Sequence, residues 1–445
     1  MLKAVPRAAF HLAQLAGVGP RDTADRVLAL VRRYGSSATS FQTLERGLSY
    51  WWDGAEACVP YVDTGRAWVA AGAPLAPAWA LATVAQRFVE EARRQRRRAV
   101  FFATEVAFPR ERFYTLPIGE QPVWEPRAWP DILRRTPSLR AQLRRAANKG
   151  VAVREVAAEA VATPGGPGRR AVEALIACWL AARPLAPMGF LVDVQPFSYP
   201  GERRYFVAER EGALVGFLAA VPVYARAGWL FEDLLRDPQA PNGTSEALVD
   251  IAMRAVARQD SRYVTLGLSP LSGKTPAVLG LARSWAAPLY DFRGIHAFRA
   301  KLRPARWDPL YLCVARPEHP GPLSDWLLTS AGLWDALRAF AGGGFWGFGV
   351  ATLLRGRSRR AGALPLPGTA GPGASLGGRG KTLFGRLGAR KDQVFPSCRH
   401  SDHPRSPFLH GLLGSGHLFS MPPLPVGPET QSPPDGDQAQ SQQQQ

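Results

Sequence analysis

RYFVAEREGALVGFLAAVPVY (Arg204 to Tyr224), GWLFEDLL (Gly228 to Leu235), GTSEALVDIAMRAVARQ (Gly243 to Gln259) and YVTLGLS (Tyr263 to Ser269) follow one another along the chain, and their order decides the fold. The first is a hairpin turning at Glu211-Gly212, the second another strand, the third an amphipathic helix and the fourth a strand again. A similar plan runs from Cys58 to Glu105. CVPYVD-TG-RAWVAAG reads as a hairpin with Asp63-Thr64-Gly65 at its turn. After Pro77 the stretch AWALATVAQRFVEEARRQ reads as a helix, and AVFFATEV as a strand. Hairpin, helix, strand, stated twice, predicts two α/β halves with mostly antiparallel sheets. The halves share no residue-level identity, so two unrelated α/β segments would read the same way.

The 445 residues carry 55 Lys+Arg against 36 Asp+Glu, a formal charge of +19, with 46% apolar, 10% aromatic and 20% charged residues. That composition buries a sizeable core and excludes wholesale disorder. The charge predicts an anionic partner, whether nucleic acid, phospholipid surface or phosphorylated small molecule. Cys58, Cys178, Cys313 and Cys398 are scattered, with no CxxC pair and no histidine at ligand spacing, so neither a metal site nor a disulfide framework is expected. The N-terminal MLKAVPRAAFHLAQLAGVGP has no uninterrupted apolar core of the signal-peptide kind. Ala339 to Leu354, sixteen uncharged residues with five glycines, falls short of the roughly 18 to 20 a membrane-spanning helix needs. These features predict a cytoplasmic protein, with a peripheral hold on the inner membrane face left open.

From residue 356 onward the chain runs through Pro/Gly-rich and Gln-rich stretches with almost no apolar periodicity, and a disordered tail is expected over 356–445. Eleven basic and five acidic residues from Arg355 onward leave most of the positive charge in the body. Much of that charge is concentrated between Arg127 and Arg154, with eight basic residues and one acid, Asp131. After Pro137-Ser138 a helical pattern puts Leu139, Leu143 and Ala146 toward a core. Arg140/Arg144 and Arg145/Lys149 then form like-charged i, i+4 pairs, which repel unless an anion offsets them. The other run, RRQRRR at Arg93 to Arg98, sits at a helix end, where the dipole favours cations.

YGSSATSFQTLERGLSYWW (Tyr34 to Trp52), the WVAAG and FFATE strands, SLRAQLRRAANKG (Ser138 to Gly150), FEDLLRDPQAPNGTSEALVD (Phe231 to Asp250), LGLSPL, and YDFRGIHAFRAKLRPARWDPLYL (Tyr290 to Leu312) resemble, in order, the C-terminal catalytic domain of bacterial phosphatidylglycerol lysyltransferases. They cover roughly residues 25 to 355. The resemblance implies an α/β (α+β) fold of two tandem GNAT-like domains with mixed sheets. It also implies transfer of an aminoacyl group from charged tRNA to a phosphatidylglycerol-type lipid or another hydroxyl or amine acceptor, with no cofactor. Full-length members carry a membrane flippase portion, and no such segment stands in this sequence. The expected organisation is an extension over 1–24, GNAT-like domains over 25–136 and 137–320, and a helical hairpin over 321–355. That last segment reads either as a helix pair closing on the second domain or as an amphipathic element lying on an anionic bilayer.

Aminoacyl transfer needs a proton acceptor for the nucleophile, a stabiliser for the oxyanion and cations for phosphates. In EDLLR, Asp233 supplies a carboxylate and Arg236 a guanidinium, and the resemblance implies that this Asp-x-x-Arg pair is functional; a salt bridge at a strand end is the structural alternative. Strand alternation puts Glu232 on the opposite face, as a second candidate base. Asn242 and Gly243 precede a helix whose free N–H groups either bind an anion or are simply capped. Arg144, Arg145 and Lys149 are assigned to tRNA or lipid phosphate, and Lys301 to an anionic substrate. DPQAPNGTSEA lacks the second glycine of an acyl-CoA pyrophosphate loop, which disfavours acyl-CoA as donor. His296 is expected to be structural. The competing readings are an acyl-CoA-dependent N-acyltransferase and a non-catalytic protein that grips RNA or a membrane surface.

Overall fold

The computed structural model describes residues 20–105, 108–183, 188–273, 291–317 and 324–342. The expected tail, the end of the expected hairpin and most of the N-terminal extension lie outside the described residues.

Two N-terminal helices, α1 (Pro20–Tyr34) and α2 (Thr39–Gln42), precede β1 (Ser49–Trp52), β2 (Cys58–Asp63) and β3 (Ala67–Ala71). The β2–β3 turn forms where its residues predicted, with the Gly65 N–H donating to Asp63 Oδ1 at 2.7 Å. Helix α3 (Leu81–Arg94) crosses over to β4 (Arg98–Thr104), which lies parallel to β3. Val84, Ala85, Phe88, Val89 and Ala92 recur at helical spacing on the buried side of α3 and pack on Trp68, Phe101 and Phe113.

The long β5 (Phe113–Trp124) leads through α4 (Trp129–Arg135) and α5 (Pro137–Asn148) to β6 (Ala152–Val156), α6 (Ala158–Ala162) and α7 (Pro167–Ala181). The second half then repeats the plan of the first. An antiparallel run of β7 (Arg204–Arg210), β8 (Ala213–Val223) and β9 (Gly228–Arg236) is followed by the crossover helix α8 (Thr244–Ala257) and by β10 (Tyr263–Thr265), parallel to β9. The pair β11 (Ser269–Pro270), the helix α9 (Phe292–Lys301), β12 (Arg306–Ala315) and the helix α10 (Ser324–Phe340) complete the described chain.

The halves share one twelve-stranded mixed sheet, in the order β1-β2-β3-β4-β12-β5-β10-β9-β8-β7-β6, with β11 beside β5. Strand β12 inserts between β4 and β5, so the late part of the chain binds the two halves together. One face of the second half carries α8, α5, α4 and α9 over Phe206, Leu218, Phe231 and Val264. On the opposite face α1 and α2 cover Val123, Val221, Leu230 and Tyr263. The mixed α/β class, with one plan of elements stated in both halves, is the one read from the sequence. Among the described residues no helix is long and apolar enough to cross a membrane.

Candidate active site

The two crossover units differ at the point where their parallel strands meet. In the first half β3 and β4 stay paired over five residues, Ala67 to Ala71 against Arg98 to Phe102, and β3 is apolar throughout. In the second half β9 and β10 pair over three residues only, Gly228 to Leu230 against Tyr263 to Thr265, and then part. Close approach at the start of this pairing requires Gly228, where a Cβ would lie 2.4 Å from the Tyr263 carbonyl oxygen. Beyond the pairing, Arg299 of α9 donates to the Gly267 carbonyl at 3.0 Å, to Ser269 Oγ at 2.7 Å and to the Leu266 carbonyl, holding the departing segment away from β9. The result is a fork, and its β9 side bears Glu232 and Asp233.

These two acids stand on the same face. The β8–β9 register runs Ala219 to Asp233 and then Ala220 to Phe231, so Glu232 is an extra residue without a partner in the ladder. A β-bulge of this kind interrupts the alternation. Leu230 faces α1 and α2, Phe231 and Leu234 face α8, and both Glu232 and Asp233 fall on the α1/α2 side. The expectation that Glu232 points away from Asp233 is therefore corrected, and the bulge is the reason.

Around the bulge a buried ionic cluster forms. Arg203, with no exposed side-chain surface, pairs with Glu232, itself 7% exposed. The same guanidinium donates to the Ser198 carbonyl at 2.7 Å and to Ser198 Oγ at 2.9 Å, and lies 5.2 Å over the Phe41 ring. A third carboxyl comes from the N-terminal segment: Glu45 is buried and coupled electrostatically to Glu232, Asp233 and Arg203. Burial, then the neighbouring carboxyls, push Glu45 up to about 10. Burial and then Glu232 raise Asp233 well above the usual carboxylate range. Glu45 Oε2, Glu232 Oε1 and Asp233 Oδ2 lack partners as bare acceptors. With both carboxyls pushed upward, the site sets two acids that favour the neutral form beside an Arg-paired third. No set of three His, Cys, Asp or Glu among the described residues is placed to hold a metal ion.

The other sequence candidates lie on the α8 side. Arg144, Arg145 and Lys149 are exposed along α5, with Leu139 and Ala146 buried beneath them. Arg236, by alternation from Leu234, also faces α8. Gly243, at φ +101, serves packing: a Cβ there would lie 2.2 Å from the Gln142 carbonyl oxygen, so this glycine lets α5 abut α8. Asn242 beside it is exposed. Lys301 pairs with Glu246 of α8, which leaves its charge offset rather than offered to an anion. The basic helix and the acid pair thus flank opposite faces of the sheet. His296 stacks on Trp307 at 4.6 Å and lies 3.4 Å from Glu120.

Sequence reading missed Glu45 and Arg203. An acid within the apolar stretch SFQTLERGLSYWW was the available signal for the first, and nothing local marks the second. A surface groove of about 590 Å3, lined among others by Glu90, Arg93, Arg94, Glu111, Arg112 and Arg316, lies on the first half. The nearby RRQRRR run is largely structural, with Arg94 paired to Glu91, Arg97 to Asp63 and Arg98 to Asp335. Three of its five guanidinium groups are thus engaged by acids, whereas the fork gathers buried carboxyls.

Residues 28–314 match the family described as phosphatidylglycerol lysyltransferase, C-terminal. Among solved structures, the C-terminal domain of a protein described as a lysylphosphatidylglycerol synthetase from Agrobacterium fabrum is similar at 20% identity and a TM-score of 0.59, covering 73% of this chain and 98% of that one. L-PGS from Bacillus licheniformis is similar at 17% identity and a TM-score of 0.59, covering 72% and 98%. At these identities the likeness shows the fold. No curated protein matches.

Proposed function

Because this chain belongs to the phosphatidylglycerol lysyltransferase C-terminal family, whose members are transferases, we propose that it moves an aminoacyl group from a charged tRNA to a hydroxyl of an anionic phospholipid. The observation that carries the reading is the fork at β9 and β10, with proton-loaded and Arg-paired carboxyls on one side and a basic helix on the other.

Acyl transfer between oxygens consumes no net proton. The acceptor hydroxyl must lose a proton as it attacks the ester carbonyl, and the ribose oxygen must gain one as its bond to the acyl carbon breaks. A site holding one carboxylate and one carboxylic acid side by side can serve both ends of that transfer. Glu232, kept by Arg203, accepts the proton, and neutral Asp233 returns one to the leaving ribose oxygen. Proton exchange within the Glu45, Glu232, Asp233 cluster then restores the starting state. The exposed flank of α5 grips the donor's phosphates, and the fork lets its acylated end pass from the α8 face to the acids. An acyl-CoA donor fits poorly, because the segment before α8 is spent on packing against α5.

The test is transfer from labelled aminoacyl-tRNA to vesicles containing phosphatidylglycerol, with Asp233→Asn in parallel. Parent protein should label the lipid, and the variant should lose at least about a hundredfold in rate while retaining its fold and its tRNA binding. No labelled lipid from the parent with any aminoacyl-tRNA would sink the reading.

A further inference from the structure

Gln121 lies in the middle of β5, fully buried, and both atoms of its carboxamide, Oε1 and Nε2, are without a hydrogen-bond partner. A buried amide in this condition is destabilising, and buried polar groups are nearly always satisfied. The exception therefore calls for a partner present in the working complex.

The register says where that partner sits. Val123 of β5 stands opposite Thr265 of β10, and Thr265 opposite Leu230 of β9. Two residues further along each strand, Gln121 and Glu232 are level with one another. They share a face as well: Val123 and Leu230 both pack under α1 and α2, and Gln121 and Glu232 are each two residues away from one of them. Two strand spacings separate Val123 from Leu230, about 10 Å between backbones, and past these residues β9 and β10 part. The Tyr263 hydroxyl, also buried without a partner, belongs to the same face. Over these groups runs the Thr39–Arg46 segment, tied to its neighbour by Gln42 Nε2 donating to the Leu191 carbonyl at 3.1 Å and the Arg46 N–H donating to Gln195 Oε1 at 3.3 Å.

Resting on the aminoacyl-transfer reading, we infer that Gln121 is a further catalytic residue, binding the acyl carbonyl of the aminoacyl ester opposite the acids. Its Nε2–H donates to the carbonyl oxygen and its Oε1 accepts from the α-amino group, a donor and an acceptor that an α-aminoacyl group satisfies together. When the acceptor hydroxyl adds to the carbonyl carbon, the C=O electron pair moves onto the oxygen that Nε2–H already holds. Collapse breaks the bond to the ribose oxygen, which takes the proton delivered from the carboxyl side, and no further reactant is consumed.

Gln121→Met keeps the volume and removes both polar atoms; Gln121→Glu keeps the shape and replaces the donor. The expected result is a loss of about a hundredfold in kcat for each, with little change in KM for the charged tRNA and no loss of thermal stability in the Met variant. Binding of 3′-lysylamido-3′-deoxyadenosine, whose amide mimics the ester, should weaken about tenfold in both variants by calorimetry. Parent protein that transfers and binds while Gln121→Met does both equally well overturns the inference and leaves the reading intact. Parent protein that does neither overturns the two together. A Met variant that melts well below the parent would show that the carboxamide has structural partners, and would overturn the inference.

Discussion

Glu45→Gln ties the buried acid cluster to a measurable slope. Glu45 is 4% exposed and its carboxyl is raised from 4.5 to about 10. A carboxyl shifted upward is protonated in the fold and ionised in the unfolded chain across the interval between those two values. The native state then holds one proton more than the unfolded state, so stability falls as pH rises, by about 1.4 kcal/mol per pH unit for one proton. What the neutral carboxyl contributes is fully present below 4.5 and is lost as pH climbs through the native value. The slope depends on the count of protons and not on how the charge is divided between Glu45 and Asp233, provided the window lies inside the interval. Gln keeps the shape and carries no titrating proton. Between about pH 6 and pH 8, urea unfolding followed by tryptophan fluorescence should therefore show the parent losing roughly 3 kcal/mol more than Glu45→Gln. The variant keeps a residual slope from Asp233, whose pKa is raised for the same reasons. Parallel curves for the two proteins would refute the reasoning, because they would mean that Glu45 is ionised in the native state.

Arg203→Met should cost about 3 to 5 kcal/mol in unfolding free energy, since it strands Glu232 without its buried partner. Adding Glu232→Gln to that variant should recover part of the loss in a double-mutant cycle, and strict additivity would argue against a direct pair. Gly243→Ala should destabilise by more than about 2 kcal/mol, from the clash with the Gln142 carbonyl and the φ of +101 together, and a neutral result would mean that α5 does not abut α8 as described. Replacing Arg144, Arg145 and Lys149 by Ala should lower the salt dependence of tRNA binding by about 2 to 3 in the log–log slope. Transfer from a short aminoacylated fragment should be spared in that variant, and equal losses with both donors would remove α5 from the donor path.

The elements that local chemistry specifies were legible in the sequence. Asp63-Thr64-Gly65 and Glu211-Gly212 turn where expected, the latter with both residues at positive φ, and α3 and α8 bury the stripes their spacing predicted. What stayed hidden depends on the partner strand. Whether Glu232 points with Asp233 or away from it is decided by how β9 pairs with β8, and the letters EDLLR are compatible with either. The insertion of β12 between β4 and β5 joins positions some two hundred residues apart, which no window of sequence contains. The same applies to the chemistry. A lone acid in an apolar segment and one arginine of a pair carry no meaning until the fold sets Glu45, Arg203 and the bulge against one another. One extra residue in β9 turns an acid that alternation would bury against α8 into the neighbour of a second acid, and that adjacency adds to burial in raising Asp233 well above the usual carboxylate range. Deleting Glu232 to restore an unbroken ladder should therefore abolish transfer at a cost in stability, because Asp233 would lose the charged neighbour that adds to burial in holding its proton and Arg203 its buried partner.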